Sequence, residues 1–355
     1  MIANRLELYI ARHVLAAIAV VLLIVVGLDL LSALIDELDR LSDRYQFGAM
    51  LQYLALTIPR RIYEMLPLSA LVGCLIGLGS LASQSELTVM RAAGFSTARI
   101  VLGVFKPVLL LMLLELTLGQ FIAPATERLA LSGRAVALAS DGILRANEGA
   151  WHRDGNEFIH IAAVEPGGVI HGITRYQYGD DEGLLRSSYA RIGKASDDGW
   201  ILQDVRETRF VDGRTEARQL EEEHWITGLS PGLLSVIIVD PVDLSITGLA
   251  RYSGYLEEQG VNSDNYRLAF WGKLLQPLSI AALVLIGVSF IFGPLRNVTA
   301  GQRVIAGVIG GVCFKFAQDI LGPASSVFGF PPLLAVSLPI LICFAVGFLL
   351  LRRAG

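Results

Sequence analysis

Residues 14–35 read VLAAIAVVLLIVVGLDLLSALI, 22 residues with one charged side chain, Asp29. At 1.5 Å of helical rise per residue the run measures about 33 Å, enough to cross the roughly 30 Å hydrocarbon core of a bilayer. Arg5 and Arg12 precede it, as in a signal peptide. No small-x-small cleavage site follows, and Ala17-Ile18-Ala19 lies too early, so an uncleaved anchor is expected. Working outward, five more stretches qualify or nearly do: 65–82, 100–123, 268–292, 304–321 and 333–351. The second is lengthened by residues 53–64, and the fifth is expected to stop at Gly322-Pro323.

Between the third and fourth apolar runs the texture changes. Residues 124–267 hold 14 Lys/Arg against 23 Asp/Glu, a net of −9, while the rest of the 355-residue chain carries +5 and the whole −4. Only 17% of the chain is charged and 53% is apolar, where a soluble domain has about 25% charged. A purely soluble protein is excluded. A nucleic-acid partner is also excluded, because the one sizeable polar region is acidic.

This block reads as β. Short runs at 158–161, 169–178, 184–192 and 200–211 are divided by turn residues at Asp154-Gly155, Pro166-Gly167-Gly168, Gly179-Asp180, Asp198-Gly199 and Asp212-Gly213. Even strand-and-turn spacing predicts a sandwich or jelly roll. Helical pattern returns at 249–258. The fold class expected is a helical membrane protein with six transmembrane helices and a jellyroll-like all-β insert after the third. Its domains are residues 1–123, 124–267 and 268–355.

Lysine and arginine set the orientation. With the N-terminus in the cytoplasm, the inner flanks hold Arg5, Arg12, Arg91, Arg99, Arg296, Arg303, Arg352 and Arg353, and the loop at 322–332 holds none. Both termini are then cytoplasmic and the acidic block is outside.

No engine for covalent chemistry is visible. Gly193-Lys194-Ala195 lacks the upstream glycine and the hydroxyl of a phosphate loop, and neither H-E-x-x-H nor G-x-S-x-G occurs. The five histidines are scattered, and Cys74, Cys313 and Cys343 lie in apolar runs, where buried small hydrophobes are expected. No metal, cofactor or catalytic residue is expected. Gly73, Gly77 and Gly79, with Gly307 and Gly311, read as sites of close helix approach.

Ionisable residues inside the spans need an account. Asp29 and Glu115 read as structural. Lys315 and Asp319, one turn apart on one face, suit either an internal pair or the polar lining of a cavity for an amphipathic substrate.

The loop after the second run reads Ser83-Gln84-Ser85-Glu86-Leu87-Thr88-Val89-Met90-Arg91-Ala92-Ala93-Gly94-Phe95. Ser83 or Ser85 can cap a short helix with Glu86 in its first turn. Leu87, Met90 and Ala93/Gly94 then share a side. Such a helix either lies on the membrane face or inserts into a groove on a cytoplasmic partner, and Gly94 as a close-contact position favours the partner.

Here the chain resembles the LptF/LptG permeases of the lipopolysaccharide export transporter of Gram-negative bacteria. The residues that carry the likeness are 85–95, Asp240-Pro241-Val242-Asp243-Leu244-Ser245-Ile246-Thr247-Gly248-Leu249, Gln276-Pro277-Leu278-Ser279 and Phe290-Ile291-Phe292-Gly293-Pro294-Leu295-Arg296. The resemblance implies an ABC-type permease half with no ATPase site of its own. Its partners would be a homologous permease (LptF), two copies of the ATPase LptB and the bitopic subunit LptC, which joins through the β-jellyroll. It implies a coupling helix near 84–95, in which Glu86 pairs with a base of the ATPase while Leu87, Met90, Arg91 and Gly94 complete the contact. It implies that spans one and five gate a shared cavity, with Asp36, Arg40, Arg134 and Lys315 meeting lipopolysaccharide. The chain departs from the family at the end of span one, where lysines are expected. Residues 33–40 keep only Arg40, and Asp39 stands at a lysine position. Phosphate recognition would then be weaker here or displaced to Arg44, Arg60, Arg61 or the companion.

The rival reading from the same class is a lipoprotein-releasing or efflux-type ABC permease, for which four spans and an insert after the first are expected. A lipid-modifying membrane enzyme lacks a convergent nucleophile, metal or acid/base set. A periplasmic scaffold leaves the Glu86 helix unexplained.

Overall fold

The computed structural model describes residues 2–41, 45–139, 150–165, 169–179, 183–196, 199–211, 214–227, 241–258, 263–293 and 298–354. The turns expected at 166–168 and 212–213 and the cation Arg44 lie outside them, as does Asp240. Helix α1 spans Ile2–Leu38, α2 Phe47–Ser83, α3 Glu86–Ala92 and α4 Thr97–Thr117. A π-helical turn, Leu118–Ile122, joins α4 to α5, Ala123–Ala139. Six strands follow: β1 Ala150–Asp154, β2 Glu157–Glu165, β3 Val169–Tyr178, β4 Leu184–Ser196, β5 Gly199–Val211 and β6 Arg214–Ile226. The chain closes with α6 Ile246–Glu258, α7 Asp264–Phe292, α8 Ala300–Phe328 and α9 Pro332–Ala354. Among the described residues six helical stretches are long and apolar enough to cross a membrane, and they contain the six runs read from sequence.

The chain divides into two compact units. The first comprises Met1–Ser32, Ile58–Pro124 and Leu244–Gly355. Its core joins Ile10, Val14 and Ile18 of α1 to Leu66, Leu71, Leu75 and Leu78 of α2, Ile100 and Val104 of α4, and Ile280, Val284 and Val288 of α7. Helix α2 is the hub because its glycines let neighbours come close. A Cβ on Gly73 would collide with the Ile18 backbone, and one on Gly77 would sit 3.0 Å from the Val14 Cα. On another side, Gly307 and Gly311 of α8 meet Leu75 and Leu68. The expected close approach is therefore present on both flanks of α2.

Two expectations need correction. Helix α8 does not stop at Gly322-Pro323 but runs to Phe328, ending on Gly329 in the left-handed region (φ 70°). In an apolar medium the helix keeps every backbone bond it can, so one missing proline N–H is tolerated within a span. Helices α2, α4, α7 and α9 also contain prolines. At the other end of α8, Thr299 and Gln302 form a capping box. The three cysteines are not uniformly buried either: Cys74 is, Cys343 is partly so, and Cys313 is exposed on α8.

The second unit comprises Ala33–Thr57 and Ala125–Asp243. Its strands form one antiparallel sheet in the order β1-β2-β3-β4-β5-β6. The all-β insert is thus present, and its described strands run as a meander. The runs read from sequence fall in β2–β5, while β1 and β6 were not singled out by it. Ile159, Ile161, Ile170, Ile173, Trp200, Leu202, Val205 and Trp225 build its core. Beside that core lies an ionic network. Arg175, with a side chain 4% exposed, donates to Glu223 at 2.6 Å and stacks over Trp225 at 5.2 Å. Arg186 reaches Glu223 at 2.5 Å and Glu207 at 3.3 Å. Burial acts to raise the Glu223 carboxyl, but the two guanidinium groups outweigh it and hold it below its ordinary range.

Candidate coupling helix and lipid-facing site

Helix α3 is short because its ends are fixed. Ser85 occupies the N-cap position, but with φ 62° its hydroxyl makes no cap bond, and the Ser83 hydroxyl donates back to the Ser80 carbonyl at 2.8 Å. The serine cap expected from sequence is therefore not formed. At the other end Gly94 N–H donates to Arg91 O and Phe95 N–H to Met90 O, each at 3.0 Å, with Gly94 at φ 87°. This is the Schellman pattern, in which the glycine is required by its left-handed backbone. Beyond its own chain neighbours no described atom lies within 4 Å of a Cβ built on Gly94, so the described residues make no close contact there.

The helix has the predicted apolar side, and that side points inward. Leu87 (4% exposed) and Met90 (8%) join the core of the first unit together with Phe95. The outward side carries Thr88, Val89, Arg91 and Ala92. Glu86 stands in the first turn and Arg91 in the last, each favourably placed on the helix dipole. Tyr9 of α1 donates its hydroxyl to Glu86 at 3.3 Å, and His13 meets the Ser80 hydroxyl at 2.8 Å. Helix α1 is thus tied both to α3 and to the end of α2.

Helices α1 and α8 flank α2 and expose most of their apolar length. Leu23, Ile24 and Leu28 of α1 and Ile309, Phe316 and Ile320 of α8 are all more than half exposed. Lys315 and Asp319 pair at 2.9 Å on α8, and both are exposed. Asp29 pairs with Arg61, as its structural reading expects, and Glu115 is fully buried.

In the second unit the cations predicted to meet lipid gather around one carboxylate. Glu37, only 5% exposed, accepts from Arg134 Nε at 2.7 Å and from the Tyr45 hydroxyl at 2.9 Å, and Arg40 lies 4.0 Å away. Arg134 also stacks over Tyr53 at 5.1 Å. Burial, followed by the Glu37 carboxylate, pushes the Tyr45 phenol up. Asp36 stands next to Glu37 on α1 and is exposed. The structure therefore brings Arg40 and Arg134 together and leaves Lys315 on a separate helix. Arg60, an alternative cation, holds Glu64 at 2.9 Å. From sequence, Glu37 counts only as an acid near Arg40. Its central place was not legible, because Arg134 lies 97 positions away. Tyr9 was missed for the same reason: nothing local marks a tyrosine that reaches residue 86.

The fold and these faces define a multi-pass helical membrane protein with a large β insert. The chain matches the family of lipopolysaccharide export system permeases LptF/LptG over residues 8–353. It is similar to the lipopolysaccharide export system permease protein LptG of Escherichia coli K12, with 34% identity over 352 residues covering 98% of each chain. To the LptG of Haemophilus influenzae it is 33% identical over 353 residues, 99% of each. The chain belongs to the LptF/LptG permease family and, with its six apolar helices, is a multi-pass inner-membrane protein.

Proposed function

We propose that this chain is one permease half of an ABC-type exporter that extracts lipopolysaccharide from the inner membrane and passes it to a periplasmic bridge toward the outer membrane. It pairs with a homologous LptF-type half, two copies of the cytoplasmic ATPase LptB, and LptC through the β domain, whose described strands lie within 150–226. Both termini are cytoplasmic and the β domain is periplasmic.

The observation that carries the reading beyond family membership is the exposure of α1 and α8. Among the described residues each leaves an apolar face uncovered, as a cavity wall completed by a companion half would. Acyl chains lie against Leu23, Ile24, Leu28 and Phe316, and Lys315–Asp319 offers the one exposed ion pair described on α8. Phosphates meet guanidinium groups, which bind them in bidentate fashion. Arg134 is already held by Glu37, so a phosphate must exchange with that carboxylate, and Arg40 is the more open first contact. ATP-driven closure arrives through α3. Because Leu87 and Met90 anchor α3 inside this chain, the ATPase grips Glu86, Val89 and Arg91, and Gly94 holds the turn that returns to α4. The Tyr9–Glu86 bond carries that push to α1.

Six spans with the insert after the third separate this chain from the four-span lipoprotein-releasing permeases. The test is ATP-driven lipopolysaccharide release from vesicles carrying the assembled complex. Glu86→Ala is expected to lower release severalfold with membrane insertion intact, and unchanged release would remove the coupling assignment. Arg40→Glu is expected to reduce lipid crosslinking more at low salt than at high.

A further inference from the structure

Strands β1, β2 and β3 place an unusual set of side chains on one face of the sheet. The register pairs Arg153 with Phe158 and Phe158 with Tyr176, and Trp151 lies two residues before Arg153. Ile159, Ile161 and Ile173, in alternate positions, turn to the core. A sheet with one buried face ordinarily carries polar residues on the other, whereas here Trp151 is 48% and Phe158 36% exposed. The Trp151 and Tyr176 rings lie nearly parallel (16°) with centroids 6.1 Å apart. Phe158 meets Tyr178 edge-on at 5.5 Å, and the Arg153 guanidinium lies 5.1 Å over Phe158. Arg153 Nε donates to the Gly155 carbonyl at 3.0 Å, which fixes the guanidinium. With Asn156 these residues line a cavity of about 830 Å³, within the range that ligand pockets occupy.

The lining selects a class of occupant. Flat ring faces attract the weakly positive C–H face of a pyranose through the aromatic quadrupole. Phenol, amide and guanidinium groups at the edge match its hydroxyls. An acyl chain would strip water from those polar groups without replacing it. A peptide strand added to a sheet edge would pair through its backbone and leave this face unused. Charge points the same way. In a block of net −9 the described lining of the cavity contains Arg153 and, among the described residues, no carboxylate, and Glu157 is turned away, accepting from Trp225 at 3.3 Å. We propose that this face binds the saccharide portion of the exported glycolipid, with Trp151 and Tyr176 stacking on sugar rings and Arg153 taking an anionic substituent. The inference rests on the export reading for the identity of the cargo.

The test uses the full chain in lipid nanodiscs and a soluble oligosaccharide released from lipopolysaccharide by mild acid, read by saturation-transfer NMR and titration. Trp151→Ala and Tyr176→Ala are each expected to weaken binding by about three- to tenfold, and Trp151→Phe to restore part of it. Arg153→Gln is expected to weaken a phosphorylated oligosaccharide more than its dephosphorylated form. Glu216→Ala, exposed on β6, should leave binding unchanged. Hydrogen exchange over β3–β5 checks that each variant keeps its sheet. No binding by the parent chain, equal binding by both alanine variants, or crosslinking of position 151 in the assembled complex to a companion β domain in place of saccharide would each overturn the proposal. The two readings fail separately. Oligosaccharide binding by a complex that exports nothing removes the export reading, and export with no oligosaccharide binding removes this site.

Discussion

Helices α1 and α2 are both membrane spans, yet they treat their apolar surface in opposite ways. In its most apolar stretch α1 has a mean hydropathy of 3.0 but only 22% of those residues buried, whereas α2 reaches 2.0 with 72% buried. Helix α8 is likewise only 17% buried against 61% for α7, although there the less buried helix is also the less apolar (1.6 against 2.2). In water the most apolar segment would be the most buried. In a bilayer the surroundings are as apolar as leucine, so burial follows close packing and small residues instead. Helix α2 is buried because Gly73 and Gly77 admit α1 closely, while α1 carries large aliphatics such as Leu23, Ile24 and Leu28 that stay exposed.

The largest test of this contrast removes bulk from the hub. Leu75→Ala on α2 should cost about 3 kcal/mol of unfolding free energy in detergent by creating a cavity. Adding bulk at the α1 contact is next: Gly73→Val should cost about 2–3 kcal/mol, seen as a lower midpoint and weaker protection of α1. Gly94→Ala strains a left-handed residue and should cost about 1 kcal/mol, confined to faster exchange in α3. Leu23→Ala on the open face of α1 should stay within about 0.5 kcal/mol. A cost there equal to that at Leu75 would erase the distinction.

The β unit offers a pH-dependent version. Glu223 is held below its ordinary range by Arg175 and Arg186 despite burial. The unfolded chain therefore binds its proton more readily, and this contribution to stability is complete above the ordinary glutamate value of 4.5. It declines as pH falls through that value toward the depressed folded one. Glu223→Gln should flatten the profile in that window, measured by exchange across β3–β6.

How far sequence reached depends on whether the cause was local. Strands β2–β5 were legible because alternation and turn residues are short-range signals, and the spans because length and hydropathy are. The helix at 86–92 was legible in its period but not in its destination: a stripe of Leu87 and Met90 fits a partner's groove and this chain's own core equally well. Gly322-Pro323 misleads because a rule learned in water ends a helix that lipid prolongs. At the predicted lipid contacts, residue type gave Arg40 and Arg134, but their shared carboxylate, Glu37, comes from tertiary proximity that no spacing encodes.

The central claim is that α1 and α8 face the cargo and the companion while α2 and α7 do not. A photoreactive amino acid placed in turn at Ile24, Phe316 and the fully buried Val284 of α7, in the assembled complex during ATP turnover, tests it directly. Crosslinks to lipopolysaccharide or to the companion permease from Ile24 and Phe316, and none from Val284, are the predicted result. Cargo captured at Val284, with only bulk phospholipid at the other two positions, would contradict it.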